Sequence, residues 1–249
     1  MARSRKRHVQ QSLLHRDKNG QRRGGKRAGA GRPKRGKYAS ARHKRRPALK
    51  ASQPVHVTLR VSPAVGRLRR RKIYAALREA MITTFVREII RVVHISIQSN
   101  HVHVIVEARD RLSLAKGMQG FQISAAKLIN SALADELGRR RRGRVFTDRY
   151  HADIITSPRR ARHCLAYVLN NWRRHHEDRS GSPATWTIDP FSSGDNFAGW
   201  KELEDSPVMW RTREAYKSMP VWQPRSWLLR EGWRRYGLIG AFEVPGPKR

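Results

Sequence analysis

The sequence predicts an α+β fold, a ferredoxin-like antiparallel sheet of four to five strands with helices on one side. Three observations carry that expectation. Short β-branched runs at 55–61, 92–97, 101–107 and 145–155 read as strands. Apolar residues recurring at spacings of three and four over 67–91 and 113–137 read as helices between them. The resulting order, strand, helix, strand, strand, helix, strand, is a split β-α-β arrangement, and one extra helix follows it.

Taken in order, the chain begins with a different kind of segment. Residues 1–50 hold 19 Lys or Arg and a single acid, Asp17. Apolar residues are sparse there, so burial cannot offset ordering entropy, and the segment is expected to be a disordered basic DNA-binding arm. Within it, Gly29-Ala30-Gly31-Arg32-Pro33-Lys34-Arg35 has the Gly-Arg-Pro core of an AT-hook, which lays Arg32 and Arg35 in a narrow minor groove. A solvated basic tail is the simpler reading of the same residues.

Order is expected from Pro54. Val55-His56-Val57-Thr58-Leu59-Arg60-Val61 alternates and opens the sheet. In the first helix, Leu68, Tyr74, Leu77, Met81, Phe85, Ile89 and Ile90 form the apolar face. Val92–Ile97 and His101–Glu107, joined by the polar Gln98–Asn100, read as a hairpin. The second helix has Leu114, Met118, Phe121, Ile123, Ala126, Leu128, Ile129, Leu133 and Leu137 as its apolar set, and Gly138 suits its C-cap. Ser157-Pro158 supplies an N-cap and a first-turn proline for the third helix, which runs to about His176. This gives a sheet domain at 54–178. Residues 179–249 are rich in Trp, Pro and Gly, contain one fair helix at 226–237, and read as an extension packed on the sheet. Its tryptophans suit packing better than base stacking.

Composition bounds the function. The chain has 249 residues and a formal net charge of +35, so a polyanion is the expected partner and nucleic acid the default. The only cysteine, Cys164, excludes an intramolecular disulfide and a multi-thiolate zinc site. No apolar run reaches transmembrane length and the N-terminus lacks a signal-peptide core, so a cytoplasmic, nucleoid-associated protein is expected. The runs Arg69-Arg70-Arg71-Lys72 and Arg140-Arg141-Arg142, with Lys116, Lys127 and Arg174, are candidate DNA contacts.

The chemistry starts at Ser99-Asn100-His101-Val102-His103-Val104-Ile105-Val106-Glu107. Strand alternation puts His101 and His103 on one face and the valines on the other. Two such imidazoles can share one metal ion, with bonds of roughly 2 Å each. Alone, the pair reads more simply as a set of satisfied histidines. On the third helix, His163, Tyr167, Asn171 and Arg174 form a polar stripe beside an apolar one of Leu165, Val168, Leu169 and Trp172. A phenol and an amide thus project one turn apart.

Together the two motifs resemble a family. Asn100–Val106 is similar to the histidine–hydrophobe–histidine motif of HUH single-tyrosine transposases of insertion sequences. Leu165-Ala166-Tyr167-Val168-Leu169-Asn170-Asn171 resembles their tyrosine helix, especially that of REP-associated tyrosine transposases. Where that group tends to carry Asn-Pro, Asn171 is followed here by Trp172, so the helix is expected to run on. The resemblance implies Tyr167 as nucleophile and His101, His103 and Asn171 as ligands of a divalent ion, Mg or Mn. It implies metal-dependent cleavage and strand transfer of single-stranded or hairpin-ended DNA through a 5′-phosphotyrosine, by a monomer or homodimer. The alternative is a non-enzymatic basic nucleic-acid-binding protein on a ferredoxin-like sheet.

Overall fold

In the computed structural model, the structure describes residues 47–139, 141, 143–178, 187–205 and 216–246. The basic arm, with Arg32 and Arg35, lies outside the described residues, as do Arg140, Arg142, Trp186 and Trp210.

Four antiparallel strands form the sheet: β1 (Val55–Arg60), β2 (Arg91–Ile97), β3 (His101–Glu107) and β4 (His151–Ile154). Their order is β2-β3-β1-β4. Alternation along β1 buries Val55, Val57 and Leu59 on one face and leaves His56, Thr58 and Arg60 on the other. β1 pairs with β3 so that Thr58 stands opposite His103 and Arg60 opposite His101. β2 carries a bulge between Val92 and His94. The extra residue, Val93, therefore joins the same side of the sheet as Ile105, while Val92 faces the other side.

One face is covered by α1 (Arg71–Arg87) and α2 (Arg111–Leu137), whose Leu77, Met81, Met118, Phe121 and Ile129 pack on the β1 and β3 valines. α1 is shorter than the expected 67–91. At its start Leu68 donates its backbone N–H to Ser99. At its end Glu88 takes a left-handed conformation, φ 52°, and stops the helix. Ile90 then turns against Gly117 of α2, where an added Cβ would lie 2.4 Å from the Ile90 side chain. Asp110 caps α2 by accepting from Ser113 N at 2.8 Å, and Gly138 closes it at φ 62°. Ile123, expected in the apolar face, points outward and is exposed.

Helices were expected on one side; the structure places α3 (Pro158–Arg174) on the other. Ser157 caps it, accepting from Arg160 N at 3.3 Å. Its Leu165, Val168, Leu169 and Trp172 are buried, and the first three share a core with Val93, Ile105, Trp200 and Trp233. That second core exists because the C-terminal residues supply its outer layer. The expected helix at 226–237 is split into α4 (Trp227–Arg230) and a 3-10 turn at Gly232–Tyr236. Trp200 Nε1–H donates to Gly194 O at 2.8 Å, and Trp222 stacks on Phe85 at 4.0 Å. Trp200, Trp222 and Trp233 are thus packing residues.

The free edge of β2 is also covered. Ile97 N–H donates to Phe191 O, Ser193 N–H to Ile95 O, and Trp222 N–H to Val92 O. An edge protected in this way does not template pairing with another chain. The fourth strand is shorter than the expected 145–155, because the chain bends at Asp148, whose carboxylate accepts from Arg149 N at 2.7 Å. Only a single bridge, Val61 to Phe146, continues the pairing.

Candidate active site

The face of the sheet under α3 carries polar side chains from three adjacent strands. β3 gives His101 and His103, β1 gives His56, Thr58 and Arg60, and β4 gives His151 and Asp153. They line an open cleft of about 1110 Å³ whose far wall is α3, through His163 and Tyr167, with His175 just beyond it. Glu243 to Gly246 complete the rim.

The histidine nitrogens are paired in a chain. His101 Nδ1 lies 2.6 Å from Asn100 Oδ1, so it carries the proton and leaves Nε2 bare. His101 Nε2 and His103 Nε2 are 2.9 Å apart. His103 Nδ1 lies 3.0 Å from His56 Nε2 and 3.2 Å from Thr58 Oγ1. The junction between the two Nε2 atoms is filled either by a proton or by a cation, since two bare lone pairs at that distance repel. Two bonds of about 2.1 Å at right angles place their donor atoms about 3.0 Å apart. The observed separation fits one shared ion.

Electrostatics keep these rings neutral. Burial, followed by the neighbouring His175 and Arg60, lowers the pKa of His101 from 6.5 to about 4. Burial, followed by His56, His101 and His175, lowers that of His103 to about 2. Burial lowers His56 to about 4, against an opposing pull from Asp153. Neutral imidazoles at pH 7 have lone pairs to donate.

Tyr167 sits over the pair. Its ring is edge-on to His103 at 5.2 Å and to His56 at 5.8 Å. The structure therefore brings Tyr167 of α3 onto the His101–His103 face. Asn171 lies one turn on, wholly buried, and both its amide oxygen and nitrogen lack a hydrogen-bond partner. A buried amide with nothing to bond costs about 1–3 kcal/mol, so an unpaired Oδ1 on the Tyr167 stripe suits a metal ligand. Among the described residues, no group of three or more His, Cys, Asp or Glu side chains is arranged to hold a metal ion. Asn171 itself is not among the residues that line the cleft.

Other expected contacts fall elsewhere. Arg69 is not a DNA contact: its guanidinium is buried and donates twice to Asp189, at 2.8 and 2.9 Å, and once to Ile97 O at 2.9 Å. Arg70 bonds to Arg67 O and Val65 O within its own loop. Arg71 and Lys72 are exposed at the start of α1. Lys116 and Lys127 are exposed on α2, across the sheet from the histidines. Arg141 donates to Asn130 Oδ1, and exposed Arg174 donates to Pro245 O. Arg162, Asn170 and Arg173 also donate to carbonyls within 237–241, so the C-terminal segment is tied along α3. Glu107 accepts from Arg225 and Ser226 backbone N–H groups and is structural. Cys164 is buried, and burial pushes its thiol pKa well up.

His56, Arg60 and His175 were not singled out from the sequence, and His151 and Asp153 were given no role. Strand parity put His56, Thr58 and Arg60 on one face, but only the β1–β3 register shows that this face is the histidine face. α3 covers the β2 and β3 part of this face, and the part formed by β1 and β4 opens into the cleft. Among the described residues no helix is long and apolar enough to cross a membrane.

Residues 52–171 match the family of IS200-like transposases. Among solved structures, a REP-associated tyrosine transposase bound to a REP hairpin matches at 16% identity with a TM-score of 0.48, covering 63% of this chain and 84% of that one. No curated protein matches.

Proposed function

We propose that this chain, whose residues 52–171 match the IS200-like transposase family, cleaves and rejoins single-stranded DNA at hairpin ends, with Tyr167 as nucleophile and a divalent ion, Mg or Mn, held by His101, His103 and Asn171. One observation carries the reading. The Tyr167 ring stands 5.2 Å from His103, whose Nε2 shares a junction with His101 Nε2.

The chain's own groups divide the work. Tyr167 Oη attacks phosphorus, the Oη–P bond forms, and the P–O3′ bond breaks. The phenolic proton leaves to solvent through the open cleft, and the departing 3′-oxygen gains one. The product is a 5′-phosphotyrosine and a free 3′-hydroxyl. The phosphotyrosine keeps the bond energy, so attack by a 3′-hydroxyl reverses the step and joins strands without a nucleotide cofactor. When bound, the ion would hold non-bridging phosphate oxygens and draw electron density from phosphorus. His101 and His103 would hold it in neutral form, and Asn171 would contribute an oxygen rather than a third imidazole, which suits a hard ion. Arg60, exposed at the cleft beside His101, adds positive charge where the phosphate enters.

The test is a denaturing gel of the full chain incubated with single-stranded hairpin DNA and Mn or Mg. A covalent protein–DNA band is expected, absent in Tyr167→Phe and in His101→Ala. A band that persists in Tyr167→Phe assigns the nucleophile elsewhere. Tight binding with no cleavage under any metal returns the protein to the non-enzymatic class.

A further inference from the structure

We infer that His56 is a positioning residue for the metal site: its Nε2 accepts the Nδ1 proton of His103 and thereby holds the His103 Nε2 lone pair on the ion. This rests on the metal reading above and adds a residue that lies outside both motifs. His56 belongs to β1, one strand away from the histidine pair, and is brought there by the antiparallel register that sets Thr58 opposite His103.

The argument is a proton inventory. An imidazole that gives one nitrogen to a cation must carry its proton on the other. His101 meets this condition through Asn100 Oδ1 at 2.6 Å. His103 meets it only if something accepts from its Nδ1. Two atoms are in range, His56 Nε2 at 3.0 Å and Thr58 Oγ1 at 3.2 Å. His56 is the closer, and it is fixed by more than that bond. Its ring tilts over His103 with centroids 5.1 Å apart and meets Tyr167 edge-on at 5.8 Å. With its own proton on Nδ1, His56 presents a bare Nε2 to His103. Without the ion, the opposite arrangement is also complete: His56 Nε2–H donates to His103 Nδ1, and His103 Nε2–H donates to His101. The same ring thus serves either tautomer of His103, and loading the site with a cation requires the one in which His56 accepts. Partners of this kind around metal-bound histidines typically change metal affinity by about 10–100-fold when removed.

The experiment titrates Mn into the full chain without DNA and reads free Mn by electron paramagnetic resonance. Wild type is expected to bind one Mn saturably. His56→Ala should weaken that binding about 10–100-fold. His56→Gln, whose amide reaches the same position with an acceptor oxygen, should stay within about threefold of wild type, and so should Thr58→Val. In parallel, nitrogen-15 spectra of the Mg-loaded chain should show the His103 proton on Nδ1 in wild type and in His56→Gln. Equal Mn affinity in His56→Ala and wild type overturns the inference while leaving the metal site standing. So does a loss that His56→Gln fails to restore, because the role would then be packing. A loss confined to Thr58→Val assigns the acceptor to Thr58 and also overturns it. If wild type binds no Mn saturably, the metal reading itself fails, and this inference with it.

Discussion

Acid should destabilise this protein through its buried histidines, and the share of one of them, His94, can be isolated. His94 lies on β2 and is buried, with Nδ1 3.2 Å from Ser193 Oγ and its ring edge-on to Phe197. Burial lowers its pKa from 6.5 to about 4. The unfolded chain therefore binds a proton at His94 that the folded chain refuses. Stability is complete above pH 6.5 and falls as the pH drops from there toward 4. Between pH 7 and pH 5, linkage at that shift removes about 2 kcal/mol through this one group. The assay is urea unfolding in the presence of a chelator, at both pH values, on wild type and His94→Asn. The asparagine lacks a titrating ring and keeps a hydrogen-bonding group near Ser193. His56, His101 and His103 also have lowered values and add to the slope, but they are common to both proteins and cancel in the difference. The variant should start less stable, having lost the ring, and should lose about 2 kcal/mol less than wild type on acidification. Equal pH slopes would refute the reasoning.

Two further substitutions probe other parts of the argument. Asn171→Leu removes two buried polar atoms that lack partners and should raise metal-free stability by about 1 kcal/mol, read by chemical denaturation, while abolishing the covalent DNA band. Arg69→Met strands the buried Asp189 carboxylate and should cost about 3–5 kcal/mol, partly recovered in the Arg69→Met, Asp189→Leu double variant; hairpin DNA affinity of the folded double variant should match wild type, since Arg69 does not reach the surface.

The sequence carried the local rules well and the long-range pairings poorly. His101 and His103 share a face because strand alternation has period two, and Tyr167 and Asn171 share a helix stripe because four residues make about one turn. Both patterns are written within a few neighbouring residues. The capping of α2 by Asp110 and Gly138, and of α3 by Ser157, is local in the same sense. Arg69 was misread because a run of four basic residues looks solvated. Its burial depends on Asp189, 120 positions away. His56 was missed for a similar reason: its role follows from the register between β1 and β3, which no single segment encodes. The placement of α3 opposite α1 and α2 depends on Trp200 and Trp233, whose spacing shows no helical or strand period. The ends of β4 and α1 were overextended because an αL residue at Glu88 and a bend at Asp148 interrupt patterns that composition alone would continue.

The tie between α3 and residues 237–246 also sets an order of events during synthesis. The ribosome delivers the sheet, the histidine pair and Tyr167 first. The carbonyls that hold Arg162, Asn170 and Arg174, and one of the two that hold Arg173, are translated more than sixty residues after α3 ends. Until then the outer side of this helix lacks most of those partners and the Trp233 layer behind it. A growing chain therefore has Tyr167 well before it has the C-terminal segment that is tied along the same helix.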